Sequence, residues 1–148
     1  MHEVGKFAKT SKNHLFVRLI KQGDEARAMD LLSRRANVDS VDSDGFSALH
    51  MAIKRRRSGI AQLLLRSGAD VELPEPTNLM RPLHLAAHAG AVDLVKQLLA
   101  LGADPLAASA DGRCAHAFAE HQSELHKVVY EAMREAMRVQ NRAFLWSR

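Results

Sequence analysis

Residues 81–104 read RPLHLAAHAGAVDLVKQLLALGAD, two short amphipathic segments joined at Gly90 and closed at Gly102. Pro82 suits the first position of a helix, where its missing N–H would find no intrahelical partner. Leu83, Ala86 and Ala87 then make a small apolar face over about two turns. Gly90 can adopt the positive φ that a sharp helix–helix turn requires. Val92, Leu94, Val95, Leu98 and Leu99 recur at helical spacing, and Gly102 follows the last of them where a C′ glycine is expected. A helix–turn–helix unit of this size is too thin to bury a core of its own. The stretch therefore predicts neighbours of the same kind.

One neighbour lies upstream. Residues 47–70, SALHMAIKRRRSGIAQLLLRSGAD, superpose on the first stretch at one constant offset. His50 falls on His84, Leu64 on Leu98, and Gly68-Ala69-Asp70 on Gly102-Ala103-Asp104. Repeats of this length with an LHxA core and an LLxxGAD close mark a solenoid. RPLHLAA and DGFSALHMA, with LLLRSGADV and LLALGADP, resemble the DxxGxTPLHxAA and LLxxGADxN consensus of the ankyrin-repeat family. The resemblance implies an all-α ankyrin-repeat solenoid of about four helix–turn–helix repeats. Short β-hairpin fingers and a long C-terminal capping helix complete it. Residues 1–12 are set apart as a basic N-terminal arm. The repeats in the domain spanning 13–148 run at about 13–43, 44–76, 77–110 and 111–148, the last with its helical extension.

Composition bounds the rest. At 148 residues the chain makes one domain or one short array, and its low aromatic content (5%) suits packing by leucine and alanine. The single cysteine, Cys114, cannot form an internal disulfide, which favours a reducing compartment. The expected location is the cytoplasm, with the nucleus second. No apolar run reaches the roughly 18 residues of a membrane span, and the N-terminus lacks a signal-peptide core. A net charge of +4 favours an acidic partner.

Along the chain, Lys6, Lys9 and Lys12 give the first residues a basic character, as a frayed arm or the start of a cap. Leu15, Phe16, Leu19 and Ile20 form one helical face, Gly23 sits at the turn, and Ala28, Leu31 and Leu32 form the next. Arg34 to Val38 replaces the glycine-containing close, so this is a degenerate first repeat whose Asn13 and Arg18 meet solvent as a terminal repeat requires. Asp44-Gly45 predicts a tight turn and Ser47 an N-cap. Arg56 replaces an inter-helix glycine and must be strained or rearranged. The connector 71–79, VELPEPTNL, has two stiffening prolines, one extra residue and Leu79 in place of a finger glycine. Arg81 stands where the family has a threonine beside His84. In the fourth repeat Cys114-Ala115-His116-Ala117 replaces TPLH. Leu125, Val128, Val129, Ala132, Met133, Ala136 and Met137 then predict one long helix from Ser123, for eight core helices in all.

No catalytic constellation emerges. The eight histidines include His50 and His84, whose matched family position is structural. Cys114, His116, His121 and His126 invite a metal, but His121 and His126 are five apart, which turns them away from each other on a helix. No nucleophile elbow, dinucleotide fingerprint, phosphate loop or calcium loop is present. The chain reads as a non-enzyme with no cofactor, no metal and no small-molecule substrate.

The resemblance instead points to protein binding through finger tips and the solvent-facing side of each first helix. Carried over residue by residue, those positions are Lys21 and Gln22, then Asp44, Phe46, Lys54 and Arg55. Met80 and His88 follow in the third repeat, and Arg113 and His121 in the fourth. Phe46 and Met80 are the apolar anchors and the cations flank them. The expected partner is a protein with an acidic, partly apolar segment, met on the concave surface by a monomer. Nucleic acid is the alternative. Interleaved acidic residues and few aromatics for stacking bases stand against it. On the last helix Arg134, Arg138 and Arg142 form a basic stripe. Met133, Met137, Phe144 and Trp146 lie nearby, either as part of a cap or as a second contact.

Overall fold

The computed structural model describes the backbone of residues 3–119 and 123–146, and the side chains of 12–119 and 123–140. Two compact units divide the chain, residues 1–70 and 71–148. In the first, α1 (Glu3–Gln22) pairs with α2 (Glu25–Ser33), and α3 (Ala48–Lys54) pairs with α4 (Ser58–Arg66). In the second, α5 (Pro82–Ala89) pairs with α6 (Val92–Ala100). A 3-10 helix (Ala115–Phe118) pairs with α7 (Ser123–Trp146). Among the described residues, seven α-helices and one 3-10 helix therefore stand where eight core helices were expected. Cys114 provides no side-chain cap for the fourth pair's first helix, so a single tight turn forms where the TPLH sequence is lost. α1 runs back to Glu3, so the backbone of residues 3–12 is helical.

Apolar spacing places the core in each unit. Phe16, Ile20, Ala28, Leu49, Ala52, Ile60 and Leu64 are fully enclosed in the first. Leu83, Ala86, Val95, Leu98, Leu125 and Val129 are enclosed in the second. The alanines matter as much as the leucines, because they let paired helices approach closely. Along α7 burial fades after Val129: Met133 is half-buried, and Met137 and Val139 are exposed. The side chains of Arg142, Phe144 and Trp146 lie outside the described residues.

Helix ends close by one repeated device. Ala69 N–H reaches the Leu64 carbonyl, Ala91 reaches Ala86, and Ala103 reaches Leu98, each preceded by a glycine with positive φ. Ala36 N–H to Leu31 and Arg57 N–H to Ala52 make the same bond, but the residues before them are Arg35 (φ 61°) and Arg56 (φ 55°). The geometry is thus kept where the glycine is lost, and the two arginines carry the strain. Left-handed backbone costs a side-chain-bearing residue about 1–2 kcal/mol, while glycine costs up to about 1 kcal/mol in chain entropy. Arg56→Gly should accordingly raise the unfolding free energy by about 0.5–1 kcal/mol. An unchanged or lower urea midpoint would contradict that. Gly23 is different: a Cβ there would fall 1.5 Å from an Arg57 guanidinium nitrogen that covers the turn.

The connecting fingers are turns, with one antiparallel bridge between Val41 and Ser47 and no strand among the described residues. In the first, Asp42 N–H donates to the Phe46 carbonyl while its carboxylate accepts the N–H groups of Asp44 and Phe46. In the second, Glu75 N–H donates to the Met80 carbonyl, and the buried Glu75 carboxylate accepts from Thr77 and Asn78. The extra residue expected between 71 and 79 lies inside this turn, and the longer acid reaches across it. Leu79 holds φ 53° in the position of the missing glycine.

Within each unit, successive connectors are tied side chain to backbone. The Asp39 carboxylate accepts the Asp70 N–H at 2.8 Å, and Glu72 accepts the Asp104 N–H at 2.6 Å. Asn13, read as a solvent-facing residue, is half-buried and accepts the Asn37 N–H at 3.3 Å. Lys12 donates to the Arg34 carbonyl.

Candidate functional site

The matched histidines hold the fingers in place. Ser47 caps α3, its Oγ accepting the His50 N–H at 3.3 Å, while His50 Nδ1 accepts the Ser47 N–H at 3.1 Å. Both residues are buried. The arrangement recurs at α5 without the hydroxyl: Arg81 N–H donates to His84 Nδ1 at 3.0 Å. His84 Nε2 contacts the Ala107 carbonyl at 2.9 Å, which fixes the neutral tautomer with its proton on Nε2. The Arg81 side chain turns to Glu72, 3.1 Å away. Burial pushes the His84 pKa down from 6.5, and the Arg81 charge adds to this against the pull of the Ala107 carbonyl.

The sign of the resulting pH dependence is fixed. Below pH 6.5 the unfolded chain takes up a proton on His84 that the folded chain refuses. Stability is therefore lost as the pH falls from 6.5 toward the lower folded value, by at most about 1.4 kcal/mol per pH unit from this group. Urea melts between pH 7.5 and 5.5 should show the stability gap between wild type and His84→Gln shrinking on acidification. A gap independent of pH would contradict the assignment.

Two of the residues assigned to the binding face meet in the first unit. The Lys54 ammonium lies 4.1 Å from the centroid of the Phe46 ring, whose edge meets the His50 ring at 6.5 Å. Phe46 is half-buried, where the sequence suggested an exposed anchor. Arg55, exposed, caps the C-terminal end of α3. Lys21 pairs with Asp42 at 2.6 Å, Gln22 is exposed at the end of α1, and Asp44 is exposed at the turn. Burial alone would raise the Asp42 pKa, but the Lys21 hydrogen bond, the Phe46 N–H and the Lys21 charge together hold it below 3.8. Next to this pair opens a cavity of about 470 Å³ lined by His14, Leu15, Arg18, Lys21, Asp42 and Ser43. His14 and Arg18 were not among the assigned positions, although they share a face of α1 with Lys21 at helical spacing.

The second unit has its own cation–aromatic pair. The Arg113 guanidinium carbon lies 4.5 Å from the centroid of Phe118, and its Nε is 2.6 Å from Asp111. Phe118 also meets the rings of His84 and His88 edge-on, at 5.8 and 6.2 Å. Hydrogen bonds from Ser109 and Arg113 hold the Asp111 carboxyl below its ordinary pKa. Met80 is half-buried and, with Asn78, Asp111, Arg113 and Phe118, lines a cavity of about 300 Å³. Phe118 is the organising residue here, in contact with Arg113, His84 and His88. Its spacing from Arg113 carries no helical signal, because a turn and a 3-10 helix lie between them. His121 lies outside the described residues.

The histidine cluster also differs from its sequence reading. His116 and His126, ten residues apart, come together between the 3-10 helix and α7 with their Nε2 atoms 3.3 Å apart. Cys114 points elsewhere, its Sγ 3.9 Å from the Met133 sulfur.

A family model described as ankyrin repeats (three copies) matches residues 16–109, well over half of the chain. The chain belongs to the ankyrin-repeat family. Protein phosphatase 1 regulatory subunit 27 of Mus musculus is 35% identical over 99 residues, covering 66% of this chain and 64% of the relative. Human 2-5A-dependent ribonuclease is 39% identical over 91 residues, 61% of this chain but 12% of its own length. Ankyrin repeat and SOCS box protein 6 of Mus musculus is 31% identical over 117 residues, 76% of this chain and 28% of that protein. The chain thus spans under two thirds of the length of these relatives. An ankyrin-repeat array is a protein–protein interaction module, generally without catalysis of its own. No helix among the described residues is long and apolar enough to cross a membrane.

Proposed function

We propose that this ankyrin-repeat protein is an adaptor that binds an acidic, partly apolar segment of a protein partner. The observation that carries the reading is the Lys54 ammonium seated on the Phe46 ring beside exposed Arg55. A cation lying on an aromatic face offers a partner both charge and flat apolar area, the combination enriched at binding hot spots. The Arg113–Phe118 pair offers the second unit the same chemistry, with Met80 as adjoining apolar surface. Hydrogen bonds and tight packing hold these groups in place beforehand, so little freedom is lost on binding. Lys21, Gln22, Asp44 and His88 border the two patches, and His14 and Arg18 add positive charge to the first.

The protein acts as a monomer in the cytoplasm or nucleus. The mouse relative, by its name a regulatory subunit of protein phosphatase 1, is likewise defined by a protein that it serves. Acidic groups interleave with the cations: Asp42 holds Lys21, and Asp111 holds Arg113. That pattern disfavours a phosphate backbone, which needs unneutralised cations along its length. A labelled peptide alternating glutamate with leucine and phenylalanine should bind the full chain at moderate salt, and duplex DNA should compete weakly. Tight DNA binding with a steep salt slope, and none of the peptide, would overturn the proposal in favour of nucleic acid.

A further inference from the structure

We infer, resting on the binding role proposed above, that Leu79 is a contact residue for apolar side chains of the protein partner's segment. Two costly features coincide at this position in the finger over residues 75–80: φ is 53° and the residue is 50% exposed. In the left-handed region a Cβ crowds its own backbone, and for a side chain as bulky as leucine the conformation is an outlier. Exposure also leaves apolar area in water that a glycine would not present. The other fingers avoid both costs. Asp42 N–H bonds to the Phe46 carbonyl and Ser109 N–H to the Arg113 carbonyl, as Glu75 N–H does to the Met80 carbonyl. The residues just before those three acceptors are Gly45 (φ 85°), Gly112 (φ 79°) and Leu79. The turn therefore needs the backbone conformation, and glycine supplies it elsewhere without a side chain. A strained residue kept rigidly in place points to function.

The chain is held on both sides of Leu79, so the strain is not released by a change of turn. The buried Glu75 carboxylate accepts the Thr77 and Asn78 N–H groups at 3.3 and 2.7 Å. The Asn78 carbonyl accepts the Ala110 N–H at 2.7 Å, and the Met80 carbonyl accepts the Glu75 N–H at 2.9 Å. An apolar group fixed in this way loses little freedom on binding. Its chemistry selects the part of the segment that it meets. Residues 71–148 carry eight lysines and arginines against nine aspartates and glutamates, so the chain's excess positive charge lies in residues 1–70. Arg113, the cation of this surface, is already paired with Asp111 at 2.6 Å. Leu79 is followed instead by Met80, which lines the cavity of about 300 Å³ together with Phe118. This surface suits leucine or phenylalanine side chains of the segment, and the acidic residues belong to the first unit.

The full-length chain, Leu79→Gly and Leu79→Asn are compared in binding two labelled peptides of equal length and charge. One alternates glutamate with leucine and phenylalanine, and in the other serine replaces both apolar residues. Wild type should prefer the apolar peptide by about tenfold or more. Both variants should cut that preference about fivefold while binding the serine peptide as wild type does. Leu79→Gly should also raise the urea midpoint, because the backbone strain goes with the side chain, a result that a packing role would not produce. Asparagine tolerates the left-handed region, so Leu79→Asn separates loss of the leucine from added flexibility. Equal binding of the two peptides by wild type, an unchanged preference in both variants, or a lower urea midpoint for Leu79→Gly would overturn the role of Leu79 and leave the acidic-segment reading standing. Failure of wild type to bind either peptide would overturn both.

Discussion

Leu98→Ala is expected to lower the unfolding free energy by about 2–5 kcal/mol, the range for deleting a fully enclosed leucine. Leu98 is 0% exposed, and its carbonyl accepts the Ala103 N–H that closes α6. The substitution leaves that backbone bond intact and removes only packing. The loss therefore measures how far the neighbouring side chains can collapse into the space. Neighbours held by alanine-lined helix contacts have little room to move, which favours the upper half of the range. A loss under about 0.5 kcal/mol in urea melts would mean that Leu98 is not in the core.

The features legible in the sequence were those set by periodicity and local chemistry. The apolar spacing of residues 81–104 placed Leu98 and Val95 inside, Pro82 began α5, Ser47 capped α3, and Gly90 closed its turn. The loss of glycine at Arg56 was legible as strain or rearrangement, whereas Leu79 was legible only as a replaced finger glycine, and the structure adds its positive φ. What the sequence hid depends on contacts made through irregular chain. Phe118 gathers Arg113 and His88 across a turn, and His116 meets His126 across residues with no common helical frame. Glu75 was likewise read as part of a proline-stiffened loop, since nothing local reveals that a glutamate substitutes for the aspartate of a neighbouring finger. The binding face was read from the family's register. The structure adds that Lys54 and Phe46 form one unit, which makes Phe46 less exposed than its position implied.

The second large effect concerns that unit. Lys54→Glu with Arg55→Glu should weaken binding of an acidic segment about a hundredfold or more, because attraction becomes like-charge repulsion at the same place. Stability should change far less. Exposed substitutions usually fall within about 0.5 kcal/mol, and loss of the Lys54–Phe46 contact adds about 0.5–1 kcal/mol. Lys54→Gln should fall between the two, since it removes the attraction without reversing it. A double variant that unfolds would instead make this pair part of the structural framework.

The central claim is that partner recognition runs through this charged aromatic patch. It is tested most directly by quantitative affinity purification from the native cell. Wild type is compared with Lys54→Glu/Arg55→Glu and with Arg66→Glu, an exposed control at the end of α4. The account predicts a defined set of proteins with acidic segments, retained by wild type and Arg66→Glu and lost from the double variant. The same proteins recovered in equal amounts with the double variant, at equal expression and unchanged melting temperature, would contradict it.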